Sequence, residues 1–140
     1  MRPLFAYGTF RDAQWRRAIL GADYPARPAV LSGWARIAAP SGYLSIARSE
    51  FDVVAGVLVD LDDVGWKITD YWEDVPEYTP TDITVRTENE SDIAAEVYVF
   101  RGLKAGPLFV TDDDRHAMLT RDEVERAIRD FAPHMRALRG

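Results

Sequence analysis

An α+β fold with many strands and few helices is what this chain predicts, and three observations lead there. Short runs rich in β-branched and aromatic residues recur between Pro, Gly, Asn and Asp punctuation, as at Val53–Val59 and Asp82–Thr87. Fewer, longer segments place apolar residues at helical spacing. The 140 residues, 47% hydrophobic and 29% charged, suffice for one domain, residues 1–140, with a core of its own.

The first strand is Pro3-Leu4-Phe5-Ala6-Tyr7, and the turn Tyr7-Gly8-Thr9-Phe10 leads from it into a helix expected over about Phe10–Leu20. Thr9 suits the N-cap, with Asp12 three residues on in a shortened capping box. Unpaired N–H groups at such a turn form a small anion site that would hold a carboxylate. Taken alone, a Gly-Thr turn before a helix is also an ordinary connection. A Pro-rich link over Ala22–Pro28 precedes a strand from Ala29 to Ala38, with Gly33 as a bulge. Pro40-Ser41-Gly42 is a turn, Tyr43–Ala47 a short extended piece, and Phe51–Leu61 a strand apolar enough to be central and buried on both faces.

Asp62–Val75 reads as the second helix, capped by Asp62 or Asp63, with Val64, Ile68, Tyr71, Trp72 and Val75 as its apolar stripe. Pro76 ends it. Glu73 then stands roughly opposite that stripe at ~100° per residue, as a solvated carboxylate, unless Pro76 distorts the last turn and cancels the phase argument. Asp82–Thr87 and Ala94–Phe100 form a hairpin around the polar turn Glu88–Asp92. Toward the C-terminus, Thr120 and Glu123 make a capping box that opens a helix with Val124, Ile128 and Phe131 on one face, kinked or ended by Pro133. This face is expected to pack on its own domain, the alternative being a partner surface in a homodimer.

Several classes of function are excluded by composition. There are no cysteines, which removes disulfides, thiol nucleophiles and Cys-based zinc sites and suits a reducing compartment. A net charge of −6 argues against a nucleic-acid partner. No run approaches the ~18 apolar residues of a membrane span, and the N-terminal apolar residues alternate and soon meet Arg11 and Asp12, unlike a signal peptide. A cytoplasmic protein without a membrane partner is expected. The two histidines, His116 and His134, lack metal-ligand spacing, and Asp112-Asp113-Asp114 lacks the calcium-loop pattern, so no metal is expected. Without a Gly-x-Ser-x-Gly elbow, an enzymatic acid–base group here would be a carboxylate or a tyrosine.

The order of motifs resembles the γ-glutamylcyclotransferase-like (avirulence-induced-gene-like) family. It stands here as Phe5-Ala6-Tyr7-Gly8-Thr9-Phe10, then Val54-Ala55-Gly56-Val57-Leu58, then Thr69-Asp70-Tyr71-Trp72-Glu73-Asp74 with Tyr78 behind, and finally Ala95-Glu96-Val97-Tyr98-Val99-Phe100. Gly42-Tyr43-Leu44 falls where a Gly-Tyr-Pro-like turn usually lies. The resemblance covers about residues 3–101 and leaves 102–140 as an extension with a C-terminal helix. It implies a small mixed β-barrel-like sheet with helices beside it and a cavity at one end. It also implies cofactor-independent release of 5-oxoproline from a γ-glutamyl amine or peptide, chemistry of the transferase or lyase kind, in a monomer or homodimer. Glu73 would be the acid–base residue. Tyr7, Gly8, Thr9 and Phe10 would bind the glutamyl group, Tyr78 and Tyr98 would supply pocket hydroxyls, and Asp70 would orient locally. Phe10 replaces the usual Leu, Asp74 the Gly after the Glu, and Thr69 an apolar residue; a second inward carboxylate would raise the Glu73 pKa. A non-catalytic member of the same fold, binding a small anion or a protein, is the alternative that keeps the cavity without the chemistry.

Overall fold

A computed structural model of the chain describes residues 1–38, 44–73, 78–100, 108–109 and 120–140. The expected turn at Pro40–Gly42, Tyr43, Asp74, Pro76, the acidic turn at 111–114 and His116 lie outside the described residues. The elements in order are β1 (Arg2–Ala6), a 3-10 turn (Thr9–Arg11), α1 (Ala13–Leu20), β2 (Ala26–Ala38), β3 (Leu44–Leu61), α2 (Asp63–Trp72), β4 (Tyr78–Thr87), β5 (Asp92–Phe100), β6 (Leu108–Phe109) and α3 (Arg121–Arg139).

Five strands close on themselves. The order β3-β1-β5-β4-β2 is completed by pairing of β2 back onto β3, and β6 adds to the end of β2. β1 runs parallel to β5, with Leu4 opposite Glu96, and the other pairs are antiparallel. Closure leaves no long free edge among these strands.

Strand alternation then divides the core in two. Phe5 on β1 and Tyr7 just beyond its end face the barrel interior with Leu31, Val54, Leu58 and Val97. Leu4 and Ala6 face outward into a second cluster with Ile19, Leu61, Ile68 and Val124, where the three helices cover the barrel.

Local boundaries differ from expectation for identifiable reasons. The chain leaves β1 through a tight 3-10 turn, so α1 starts at Ala13 and its N-cap is Asp12, whose carboxylate accepts from the Trp15 N–H at 3.0 Å. Thr9 does not cap; its side chain is buried. β2 begins earlier than expected, at Ala26, and its Gly33 is a bulge as anticipated: φ is 85° and the register with β3 shifts between Ser32 and Trp34. The described part of the piece expected at Tyr43–Ala47, from Leu44 on, and the piece expected at Phe51–Leu61 belong to one strand, because Arg48 and Val53 stay in the ladder with Trp34 and Ser32. Burial on both faces holds only toward the end of β3. Val57, Val59 and Leu61 lie under the helices, whereas Phe51 and Val53 on the same side are 90% and 57% exposed.

β4 starts at Tyr78 and tolerates Pro80 where its ladder is with β5 alone. The capping box of α3 forms as expected, with Thr120 and Glu123 exchanging bonds. Pro133 does not end α3. Beyond it Met135 is buried, and Arg139 donates to the Leu20 carbonyl at 2.9 Å and to the Tyr24 hydroxyl at 2.7 Å, anchoring the helix end to α1.

Candidate active site

The site begins where β1 leaves the barrel. Gly56 of β3 lies against this exit so closely that a Cβ there would stand 2.4 Å from the Ala6 carbonyl oxygen, which only glycine permits. The Tyr7 carbonyl accepts from Arg36 Nη2 at 2.8 Å, and the Tyr7 hydroxyl donates to the Tyr98 carbonyl at 2.6 Å. In the turn that follows, the Arg11 and Asp12 N–H groups bond back to Gly8 and Thr9 carbonyls at 3.0 and 3.2 Å. A 3-10 turn leaves its first N–H groups outside that ladder, available to a ligand.

Helix α2 supplies the carboxylate. Its buried residues are Gly65, Trp66, Ile68 and Thr69, so the inner face runs through Gly65 and Thr69 and arrives, four residues on, at Glu73. Of the expected stripe Ile68 is fully buried, Val64, Tyr71 and Trp72 are only partly buried, and Val75 lies outside the described residues. The solvated orientation read for Glu73 therefore does not hold: a count of large apolar residues misses a helix face whose close packing uses Gly and Thr. Thr69 is accommodated there because its hydroxyl donates to the Gly65 carbonyl at 2.7 Å. The Glu73 N–H closes the helix onto the Thr69 carbonyl at 2.8 Å.

Glu73 and the turn meet in one pocket of about 40 Å³, lined among others by Tyr7, Gly8, Thr9, Phe10, Leu44, Trp72, Glu73 and Tyr98. Tyr78 is not part of this lining. It is buried beside Tyr7, and its hydroxyl donates to the Leu44 carbonyl at 3.3 Å. Among the described residues no hydrogen bond or ion pair reaches the Glu73 carboxyl. Burial, with the nearby Asp70 charge adding to it, raises its pKa from 4.5 to about 8. Among the described residues the carboxylate that acts on Glu73 is Asp70, one helical turn back, whereas Asp74 lies outside them. Asp70 also accepts a short hydrogen bond from the Tyr98 hydroxyl, an orienting contact.

Burial raises the Tyr7 phenol well above its ordinary value, with the Glu73 charge contributing and a hydrogen bond from Ser45 opposing. Tyr98 is raised chiefly by burial and then by Asp70. Both phenols stay protonated beside a carboxyl whose pKa is raised to about 8. Leu44 and Trp72 stand within the family-like motifs but are not among the site residues that the resemblance implies, and Arg36 lies in none of those motifs. Among the described residues no cluster of three metal-ligating side chains occurs, and no helix is long and apolar enough to cross a membrane.

A closed five-strand barrel flanked by helices, with a desolvated, part-buried carboxyl sharing a pocket with a strand-to-helix turn, defines a class of small α+β proteins. The chain belongs to the family described as Gamma-glutamyl cyclotransferase, AIG2-like, whose model matches residues 4–119. The matched residues run past residue 101, where the resemblance read from the motifs ends. Solved structures share the fold. A protein from Arabidopsis thaliana superposes with a TM-score of 0.65 at 22% identity, over 98% of this chain and 81% of its own. A structure titled Gamma-glutamyl cyclotransferase gives 0.66 at 13% identity, covering 92% of this chain and 98% of that one. An AIG2-like protein from Mus musculus gives 0.65 at 17%, over 88% and 92%. A search of curated proteins returned no match.

Proposed function

We propose that this protein is a γ-glutamyl cyclotransferase that converts a γ-glutamyl amine or peptide into 5-oxoproline and a free amine, with Glu73 as general acid and base. The observation that carries the reading is a desolvated Glu73 carboxyl that no hydrogen bond or ion pair reaches among the described residues, sharing one pocket with the Tyr7–Phe10 turn. A carboxyl kept near pH 8 is suited to taking a proton and returning it.

The turn amides hold the glutamyl carboxylate, and the reacting ends of the substrate lie toward Glu73. Ionised Glu73 takes a proton from the substrate's α-amino group as that nitrogen attacks the γ-carbonyl carbon. A C–N bond forms and closes a five-membered ring. The original amide C–N bond then breaks, and Glu73 returns the proton to the departing nitrogen. Atoms balance without water, metal or cofactor. Both reacting groups belong to one bound molecule, so the pocket chiefly has to fold it into the ring-closing shape. Tyr98, held by Asp70, forms one wall of that fold, Phe10 and Trp72 others, and Tyr78 supports Tyr7 from behind.

The test is 5-oxoproline release from a panel of γ-glutamyl amines and amino acids by the wild-type chain and Glu73→Gln. Replacement of the general base is expected to lower kcat by ~10²–10⁴. Absence of release from every compound, or full activity in the Gln variant, rejects the mechanism.

A further inference from the structure

Arg36 is a buried cation that the proposed chemistry does not use. It is 3% exposed, and its Nη2 donates to two backbone carbonyls, Tyr7 at 2.8 Å and Ala55 at 2.7 Å. Its position follows from the bulge at Gly33. Before the bulge Ala29 and Leu31 face the barrel interior, and after it the parity switches to Trp34. Arg36, two residues on, shares that inward phase. Burying a guanidinium is costly unless its hydrogen bonds are made, and one of these bonds falls on the carbonyl immediately before Gly8.

That carbonyl and the Gly8 N–H belong to the same peptide unit. A trans peptide is planar, with its C=O and N–H pointing in opposite directions, so a group that fixes the Tyr7 oxygen fixes the Gly8 N–H on the other side. Gly8 lines the pocket and Arg36 is not in that lining. The cation also draws electron density from the carbonyl oxygen, which strengthens the N–H of the same unit as a donor. Gly56 keeps the neighbouring Ala6 carbonyl close to β3, so the peptide unit is constrained from two sides.

We propose that Arg36 is a positioning residue which, by holding the Tyr7 carbonyl, aims and polarises the Gly8 N–H toward the anionic group of the bound substrate. This rests on the cyclotransferase reading for the identity of the ligand, not for the orientation of the peptide. The guanidinium acts through the backbone and does not touch substrate.

Arg36→Met keeps the apolar stem and removes the donors, while Arg36→Lys keeps the charge with a shorter reach. In the Met variant the Gly8 amide proton resonance is expected to move upfield in the ligand-free protein. KM for the γ-glutamyl substrate and the dissociation constant for 5-oxoproline are expected to rise about tenfold, the scale of one hydrogen bond. The kcat and the pH at which activity appears should hold, and the Lys variant should recover part of the loss. A folded Met variant with unchanged Gly8 shift and unchanged KM overturns the proposal. So does a loss confined to thermal stability in both variants. If neither variant folds, the wild-type chain decides: resolved, slowly exchanging Arg36 Nη protons with a downfield Tyr7 carbonyl carbon support it, and a freely averaging guanidinium overturns it. Should the wild-type chain release no 5-oxoproline from any γ-glutamyl compound, the functional reading fails, whereas the Gly8 shift still rules on Arg36.

Discussion

Glu73 concentrates the site's electrostatics in one side chain, and its titration has consequences for both activity and stability. Because its folded pKa, about 8, lies above the ordinary 4.5, the folded state favours the protonated form over the window between those values. Stability from this residue is complete below about pH 4.5 and declines as pH rises through about 8. Glu73→Gln, neutral at every pH, removes that decline. Its Tm should match wild type near about pH 4 and exceed it near about pH 9, and a calorimetric Tm difference equal at both would contradict the burial. As the proposed general base, Glu73 is also expected to set the acid limb of activity, since a base must be ionised to act: kcat/KM should rise with pH with an apparent pKa of about 8. Asp70→Asn removes the neighbouring negative charge while keeping an acceptor for Tyr98, so this limb should move to lower pH. A pH profile that stays in place would show that Asp70 does not couple to Glu73.

The elements explain why the carboxyl arrives where it does. On α2 the spacing Gly65, Thr69, Glu73 places three residues on one face, and the first two are small enough for the helix to lie close to its neighbours. Their inward side was illegible in the sequence because Gly and Thr add little to an apolar stripe. Trp66, which is 3% exposed and donates its indole N–H to the Arg2 carbonyl at 3.2 Å, is the large residue that stripe should have included. On the barrel side, Gly56 lets β3 approach the end of β1. Gly56→Ala is expected to destabilise the protein by ~1–3 kcal/mol, because the clash is with backbone and not with a flexible side-chain end. Urea unfolding measures this. A shift in midpoint within error of zero would mean that β1 yields without cost.

At the scale of the molecule, α3 supports the end of α2 that carries Glu73. Phe131 meets Tyr71 and Trp72 edge-on at centroid distances of 5.6 and 6.3 Å, and His134 stacks on Tyr71 at 4.0 Å. These contacts pack the exposed-looking side of α2, so the C-terminal helix covers its own domain. Phe131→Ala should lower stability by ~0.5–1.5 kcal/mol through the lost ring contacts. It should also reduce turnover, since Trp72 is a wall of the pocket. Thermal melts and 5-oxoproline kinetics on the same preparation check both effects. Unchanged turnover with a lowered Tm would confine α3 to a structural role.

Much of this was legible along the chain because the signals are local. The Gly33 bulge, the hairpin at Glu88–Ser91, the caps at Asp62 and Thr120, and the order of short strands follow from backbone preferences and side-chain period, which act over a few residues. The motif order, from Tyr7-Gly8 to Glu73 to Tyr98, was legible too. Closure of β2 onto β3, the inward turn of Arg36, the desolvation of Glu73 and its coupling to Asp70 were decided only by the tertiary structure. Each depends on which surfaces come together and exclude water. A carboxylate's pKa and a strand's inner face are properties of that environment, not of the residues on either side in sequence.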